Sequence, residues 1–229
     1  MSRAQNSPPI VAESLAERVA DRISSAIMRG DLALGERLGE QRWAEAFGVS
    51  RGPVREAALL LTARGHLVQH ARRGFFVRSF TSEEIDSLYD MRLAVERHAL
   101  LRILRDGDTT AIADSLARQV AQMKAALAKA DVRQIAETDL AFHRLLTSKS
   151  GNPRLLKEFD ELSTEILILI SRLDLMRLDP EALVDSHLPL VDAVRQRDLD
   201  GALRETDFHI EDARLSMQRM LAELAEEET

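Results

Sequence analysis

Asp139, His143, His187 and His209 are the side chains of this sequence whose types and spacing best suit chemistry. Asp139 and His143 stand four apart, so on a helix they leave from one face, beside an apolar stripe of Ile135, Leu140, Phe142 and Leu146. His187 lies between Val184 and Val191, and His209 among Thr206, Ile210 and Ala213. A carboxylate or imidazole taken out of water without a partner is costly. One core histidine is commonly satisfied by a neighbour, but four such groups on three apolar faces need a common explanation. A divalent cation supplies one. A carboxylate with three imidazoles is a nitrogen–oxygen ligand set that zinc favours and that nickel, cobalt or manganese tolerate. The chain has no cysteine, which excludes thiolate ligation and disulfides.

A second chemistry is written in the stretch from Gly48 to Val77. Ser50 is placed to cap a helix with its hydroxyl, and Pro53 falls in the first turn, where a missing N–H is harmless. Val54, Ala57, Ala58 and Leu61 recur at helical spacing as a buried stripe. Arg51 and Arg55, four apart, share an exposed face near the helix start. A guanidinium there can grip guanine O6 and N7 in the major groove. Gly65 stops the helix, and Leu67 to His70 and Phe75 to Arg78 read as two short strands. Between them Ala71-Arg72-Arg73-Gly74 makes a basic tip suited to a phosphate or the minor groove.

Helices must position both groups. Glu13 to Arg29 is amphipathic, with Leu15, Val19, Ile23 and Ile27 every four residues, and Gly30 ends it. Glu40 to Phe47 is a short second helix with Trp43, Ala44 and Phe47 inward, followed by a tight turn at Gly48-Val49. Helix, helix, turn, helix and hairpin make a winged helix-turn-helix over residues 10–79, behind a flexible N-terminus at 1–9. From residue 80 to 229 no strand pattern recurs. Thr81 and Glu84 have capping-box spacing for a helix to about Leu104, and further helices span Thr110 to Ala130, Asp131 to Ser148 and Pro153 to Ile170. Two more run from Asp179 to Arg197 and from Leu199 to Leu224. The chain is thus mainly α, an N-terminal winged helix-turn-helix followed by an all-α antiparallel bundle.

Composition agrees. At 229 residues, 45% apolar and only 4% aromatic, the chain suits Ala- and Leu-rich helices over a β-sandwich. The net charge of −7 is divided unevenly: residues 1–78 carry 12 basic and 8 acidic side chains, the remainder 19 and 30. That is a basic, nucleic-acid-binding head on an acidic body. No secretion signal and no apolar run long enough for a bilayer is present, so the expected location is the cytoplasm, with no membrane partner.

These motifs resemble the GntR family of bacterial transcription regulators. The segment from Arg37 to Val77 carries Gly48-Val49-Ser50-Arg51, Pro53-Val54-Arg55-Glu56-Ala57 and a wing at Arg73-Gly74. The resemblance implies that Ser50, Arg51, Gly52 and Arg55 meet DNA, with Gly74 at the wing and a further phosphate contact from Arg42 or Gln41. The body resembles the FadR-like branch with its FCD ligand-binding domain, whose metal-binding members carry Asp-x-x-x-His and two later histidines. Here these are Asp139 with His143, then His187 and His209. Pro189, just after His187, is expected to kink that helix. The resemblance further implies a small organic acid bound near the metal, with Arg92 facing the pocket to pair with its carboxylate. The alternative for Arg92 is a helix-surface ion pair with Glu96.

The leading function is therefore a metabolite-responsive regulator that binds double-stranded operator DNA as a homodimer. It is not expected to be an enzyme. The runner-up is a metal-dependent hydrolase carrying a DNA-binding head, which lacks a general base placed by motif. A structural nucleoid protein indifferent to small molecules is a third reading.

Overall fold

The computed structural model describes residues 14–171 and 180–227. The expected flexible stretch at 1–9 and the helix start at Asp179 lie outside the described residues. The head begins with α1 (Leu15–Met28), capped reciprocally by Ser14 and Glu17. Val19, Ile23 and Ile27 are buried as the spacing predicts, but Leu15 is 47% exposed at the first turn. Helix α2 (Glu40–Phe47) ends on Gly48 in the left-handed region, at φ 65°, which glycine adopts without a Cβ clash. Only Ala44 of α2 is fully buried. Trp43 and Phe47 are half-buried and pack ring to ring at 5.1 Å.

Helix α3 (Arg51–Ala63) buries Val54, Ala57, Ala58 and Leu61 against α1. Ser50 holds the N-cap position, yet its hydroxyl makes no capping bond. Pro53 explains this correction: it occupies the third helical position, whose N–H the hydroxyl would accept, and proline has none. Strands β1 (Leu67–His70) and β2 (Gly74–Val77) pair antiparallel, with Leu67 opposite Val77 and His70 opposite Gly74. The second strand therefore starts and ends one residue earlier than expected. Arg37 adds a bridge to Phe76. The head has its own core, in which Phe75, Ile23, Leu61 and Leu67 meet.

The body consists of helices α4 to α10. Helix α4 (Ser82–Asp106) starts at the Thr81–Glu84 capping box. Asp108 caps α5 (Thr109–Leu127), Asp131 caps α6 (Val132–Lys149) and Asn152 caps α7 (Pro153–Ile170). The single helix expected up to Arg197 is broken into α8 (Pro180–Asp185) and α9 (Leu188–Gln196). Pro189 is the cause. It cannot donate to the carbonyl four residues back, at Asp185, and its ring crowds that carbonyl, so α8 ends there. Helix α10 (Leu199–Glu227) closes the bundle against α4 and α9. One core gathers Tyr89, Phe159, Ile168 and Met217, and a second gathers Leu100, Leu116, Phe142 and Val194. No helix among the described residues is long and apolar enough to cross a membrane.

Head and body touch. Met28 of α1 and Leu34 pack onto the first body core. Arg78, just past β2, pairs with Glu84 of α4 and Glu165 of α7, both at 3.2 Å.

Candidate functional site

The four ligand candidates come from two helices and one helix junction, and the fold brings them together. Asp139, His143, His187 and His209 are all buried, with one ligand atom from each lying within 4.8 Å of the others. Asp139 and His143 sit one turn apart on α6. His209 reaches in from α10. His187 occupies the α8–α9 break, where its backbone N–H reaches the Val184 carbonyl at 3.3 Å and its ring lies against the last carbonyls of α8. Its Nδ1–H meets those of Leu183 and Val184 at 3.2 Å each. The kink that Pro189 imposes thus fixes the ring, turning Nε2 toward the cluster.

The other two rings are fixed in the same sense. His143 Nδ1–H donates to Glu96 Oε2 at 2.7 Å. Ser186 Oγ donates to the Leu183 carbonyl, which leaves its lone pair to accept from His209 Nδ1–H at 3.1 Å. With each Nδ1 carrying the proton, each Nε2 presents a lone pair inward. His143 Nε2 lies 3.1 Å from His209 Nε2, and His187 Nε2 lies 3.1 Å from Asp139 Oδ1. Such pairs have no proton between them. His187 Nε2 accordingly has no hydrogen-bond partner despite its distance to Asp139.

Acceptors facing acceptors in a buried site repel unless a cation lies among them. Ligand atoms each ~2.1 Å from one ion stand roughly 3.0–3.4 Å apart in octahedral or tetrahedral arrangement, so both 3.1 Å separations fit. The donor set fits a divalent ion of the zinc type.

The charges point the same way. Burial works to raise the Asp139 carboxyl, but the adjacent His187 and the charges around it, Arg92 among them, override it and hold it far below the usual carboxylate range. Burial pushes the His143 and His209 imidazoles down, favouring the neutral form that a metal ligand needs. Glu96, also fully buried, resists the upward push of burial through His143 and Arg92, and stays ionised. Two carboxylates against the single Arg92 guanidinium leave an excess negative charge for a cation to balance.

Arg92 unites the two alternatives its sequence position left open. Its Nε donates to Glu96 Oε1 at 2.8 Å, but the pair is buried, at 1% and 0% exposure, and is no surface bridge. Meanwhile Arg92 lines a cavity of about 320 Å³ together with Tyr89, Asp139 and His209. Arg92 Nη2 and the Tyr89 hydroxyl make no well-formed hydrogen bond. Burial pushes the tyrosine up to about 12, against the opposing pull of Arg92, so the hydroxyl keeps its proton as a donor.

Glu96 is the site residue that sequence reasoning misplaced. A signal was available, because Ile85, Tyr89, Arg92, Glu96, Ala99 and Ile103 fall at three- and four-residue spacing on one buried face. Two charged residues on a core stripe mark an internal network.

In the head, Ser50, Arg51, Gly52, Arg55, Arg42, Arg72 and Arg73 are all exposed, and Gly74 is half-buried. Glu40, which sequence reasoning also passed over, lies between the two α3 arginines. Its Oε2 is 3.7 Å from Arg51 and its Oε1 3.5 Å from Arg55. Arg55 also lies over the Phe75 ring at 5.9 Å, and at the wing Arg73 lies over Phe76 at 5.3 Å. Arg72 holds the tip in the left-handed region at φ 62°, uncommon for a non-glycine residue. Gly52 is not demanded by space, because a Cβ there would meet only Ser50 Oγ, at 3.9 Å.

Known proteins match both halves. The family model for bacterial regulatory proteins of the gntR family covers residues 15–77, and the FCD domain model covers 87–212. The gluconate operon transcriptional repressor of Bacillus licheniformis is 30% identical over 92% of this chain and 90% of its own length. The HTH-type transcriptional repressor RspR of Escherichia coli is 26% identical over 84% of each chain. Among solved structures, a GntR transcriptional regulator from Rhodococcus sp. RHA1 superposes with a TM-score of 0.73 at 25% identity, covering 88% of this chain and 96% of that one.

Proposed function

Since the chain belongs to the GntR family of bacterial transcription regulators, with an FCD domain behind its DNA-binding head, we propose that a small carboxylic acid sets its affinity for an operator. In this reading residues 10–79 bind DNA and residues 80–229 bind effector. Asp139, His143, His187 and His209 hold one divalent ion, zinc by preference, with nickel, cobalt or manganese as substitutes. The ion supplies a Lewis-acidic position for the acid's oxygen. Arg92 Nη2 and the Tyr89 hydroxyl, buried donors without partners on the same cavity, receive the carboxylate. That coincidence of orphaned donors and converging ligand atoms is the observation carrying the reading. Two of the relatives are repressors by name.

On DNA, Arg51 and Arg55 read base edges, steadied by Glu40, while Ser50, Gly52 and Arg42 lie against the backbone. Arg72, Arg73 and Gly74 bring the wing to the neighbouring groove. A homodimer in the cytoplasm places two heads on a palindromic operator. Family membership weighs against the hydrolase reading, in which the same ion would activate water.

The test is metal analysis of the purified protein, with thermal unfolding and operator binding measured in parallel. One equivalent of divalent metal is expected. A ligand present at a hundred times its Kd stabilises by about 2.7 kcal/mol, so chelation lowers Tm by several degrees. Arg92→Lys keeps the charge opposite Glu96 but loses the guanidinium fork, so it should retain metal and lose carboxylate affinity. A His143→Ala, His187→Ala double variant that folds and still holds stoichiometric metal would exclude the site. Sedimentation as a monomer, free and on operator, would exclude the dimer.

A further inference from the structure

We infer that the effector is a monocarboxylic acid with a compact apolar body, an inference that rests on the carboxylate site proposed above. The cavity is divided. Its polar end holds Arg92, Tyr89, Asp139 and His209; the remaining wall is mostly apolar, with Ile135, Ala136, Ile170, Leu183, Ala213 and Met217, and carries Ser186, Ser216, Asp212 and Arg219 as its other polar residues. Ile135, Ala136, Ile170 and Met217 are themselves buried in the body core, so this is a preformed apolar surface.

Beyond the polar end, both serine hydroxyls on the wall already have a protein partner. Ser186 Oγ donates to the Leu183 carbonyl and accepts from His209. Ser216 Oγ accepts from Arg219 Nη2, and Arg219 Nε donates to the Leu215 carbonyl. Asp212 and Arg219 are both exposed at the cavity's edge, and their opposed charges leave no net attraction there for a second carboxylate on the ligand.

A polyhydroxylated sugar acid would therefore bury hydroxyls against Ile, Leu and Met. Each one left without a partner weakens binding by on the order of tenfold. Each methylene buried there strengthens binding about fourfold. At protein-like packing density, about 320 Å³ holds on the order of ten non-hydrogen atoms. That size fits a six- to eight-carbon aliphatic acid or a short aryl-acetic acid. The gluconate in a relative's name is thus a poor match for this cavity.

The experiment uses the full chain with one equivalent of Zn²⁺ and titrates acetate, butanoate, hexanoate, phenylacetate and gluconate by calorimetry. Hexanoate is expected to bind on the order of a hundredfold more tightly than acetate, and gluconate at least tenfold more weakly than hexanoate. Ala213→Asn, on the apolar wall one turn beyond His209 and not itself a ligand candidate, should flatten the chain-length dependence while leaving metal content unchanged. Gluconate equal to or tighter than hexanoate, or a Kd independent of chain length, would overturn the apolar body and leave the carboxylate site standing. Chain-length dependence retained in Ala213→Asn would remove this wall as its origin and overturn the inference too. If none of the acids binds the zinc-loaded protein, the carboxylate site itself fails and this inference fails with it.

Discussion

Glu96 on α4 accepts the Nδ1–H of His143 on α6 at 2.7 Å, and with its other oxygen holds Arg92. One carboxylate therefore sets both the tautomer of a metal-ligand candidate and the orientation of the guanidinium on the cavity. Outer carboxylates of this kind typically change metal affinity 10–100-fold when removed. Glu96→Gln is isosteric, but its amide can satisfy only one of the two donors. We expect metal affinity to fall on the order of tenfold or more, read by competition with a chelator of known affinity, while helical circular dichroism stays native. Glu96→Ala would leave Arg92 buried and unpaired, a loss of roughly 3–5 kcal/mol for a broken buried ion pair. Unchanged zinc affinity in a folded Glu96→Gln would show that the carboxylate does not tune the site.

In the head, Glu40 sits between Arg51 and Arg55, the two arginines proposed to read base edges, where it can orient both. Arg51→Ala should relax base preference by about 1–3 kcal/mol at the contacted pair, whereas Arg72→Ala should lower affinity uniformly and reduce the salt slope by about one. Glu40→Ala removes the orienting partner together with a negative charge near phosphate. It should raise non-specific binding and lower operator preference together. Competition shift assays at two salt concentrations separate these outcomes. Operator preference that survives in Arg51→Ala would displace α3 from the recognition role.

His66 offers a test in pH. Burial is the largest influence on its imidazole and pushes it below the usual 6.5, while its Nε2 lies 2.9 Å from Ser24 Oγ. The unfolded chain takes up this proton at higher pH than the folded head does. Below about pH 6.5 the unfolded state therefore binds more protons, and stability falls as pH falls. Above about pH 7 the ring is neutral in both states and contributes no slope. His66→Gln should make Tm less sensitive between pH 7 and 5.5, and the His66 resonance should titrate below 6.5. A resonance that titrates above that value would reverse the sign of the slope.

Much of this was legible in the sequence because it is written locally. The Asp139–His143 pair announces itself by four-residue spacing on an apolar stripe, and Pro189 announces the break that aims His187. The same proline rule holds at Ser50, where Pro53 removes the very N–H that the cap would use. What escaped was relational. The Glu96–His143 bond joins residues 47 positions apart, and Glu96 beside Arg92 has the spacing of an ordinary surface pair until α6 is packed against it. Glu40 likewise acquires meaning only when α2 and α3 cross. Burial decides such roles, and burial follows from the assembled helices rather than from any one of them.

Arg78 ties the wing to the body, and under the proposed function it is the route by which an effector would act on the head. It follows β2 of the wing, lies over the Phe80 ring at 5.2 Å, and pairs with Glu165 on α7. That same helix ends at Ile170, in the wall of the cavity that Arg92 lines. A ligand that shifts the α7 C-terminus by differential contact therefore acts on a rigid element that grips the head. The pairs are partly exposed, at 27% for Arg78 and 32% for Glu165, so their contribution to stability is small. Their contribution to coupling need not be, because allosteric couplings are typically only 1–3 kcal/mol. Arg78→Glu should leave metal content and Tm nearly unchanged and shrink the ratio of operator Kd with and without hexanoate toward one. Adding Glu165→Lys should restore much of that ratio by re-forming the pair with its charges exchanged. The measurement is fluorescence anisotropy on an operator duplex at fixed salt, because Arg78→Glu also alters net charge near DNA. A wild-type ratio in Arg78→Glu, or no rescue by the exchanged pair, would route the coupling elsewhere.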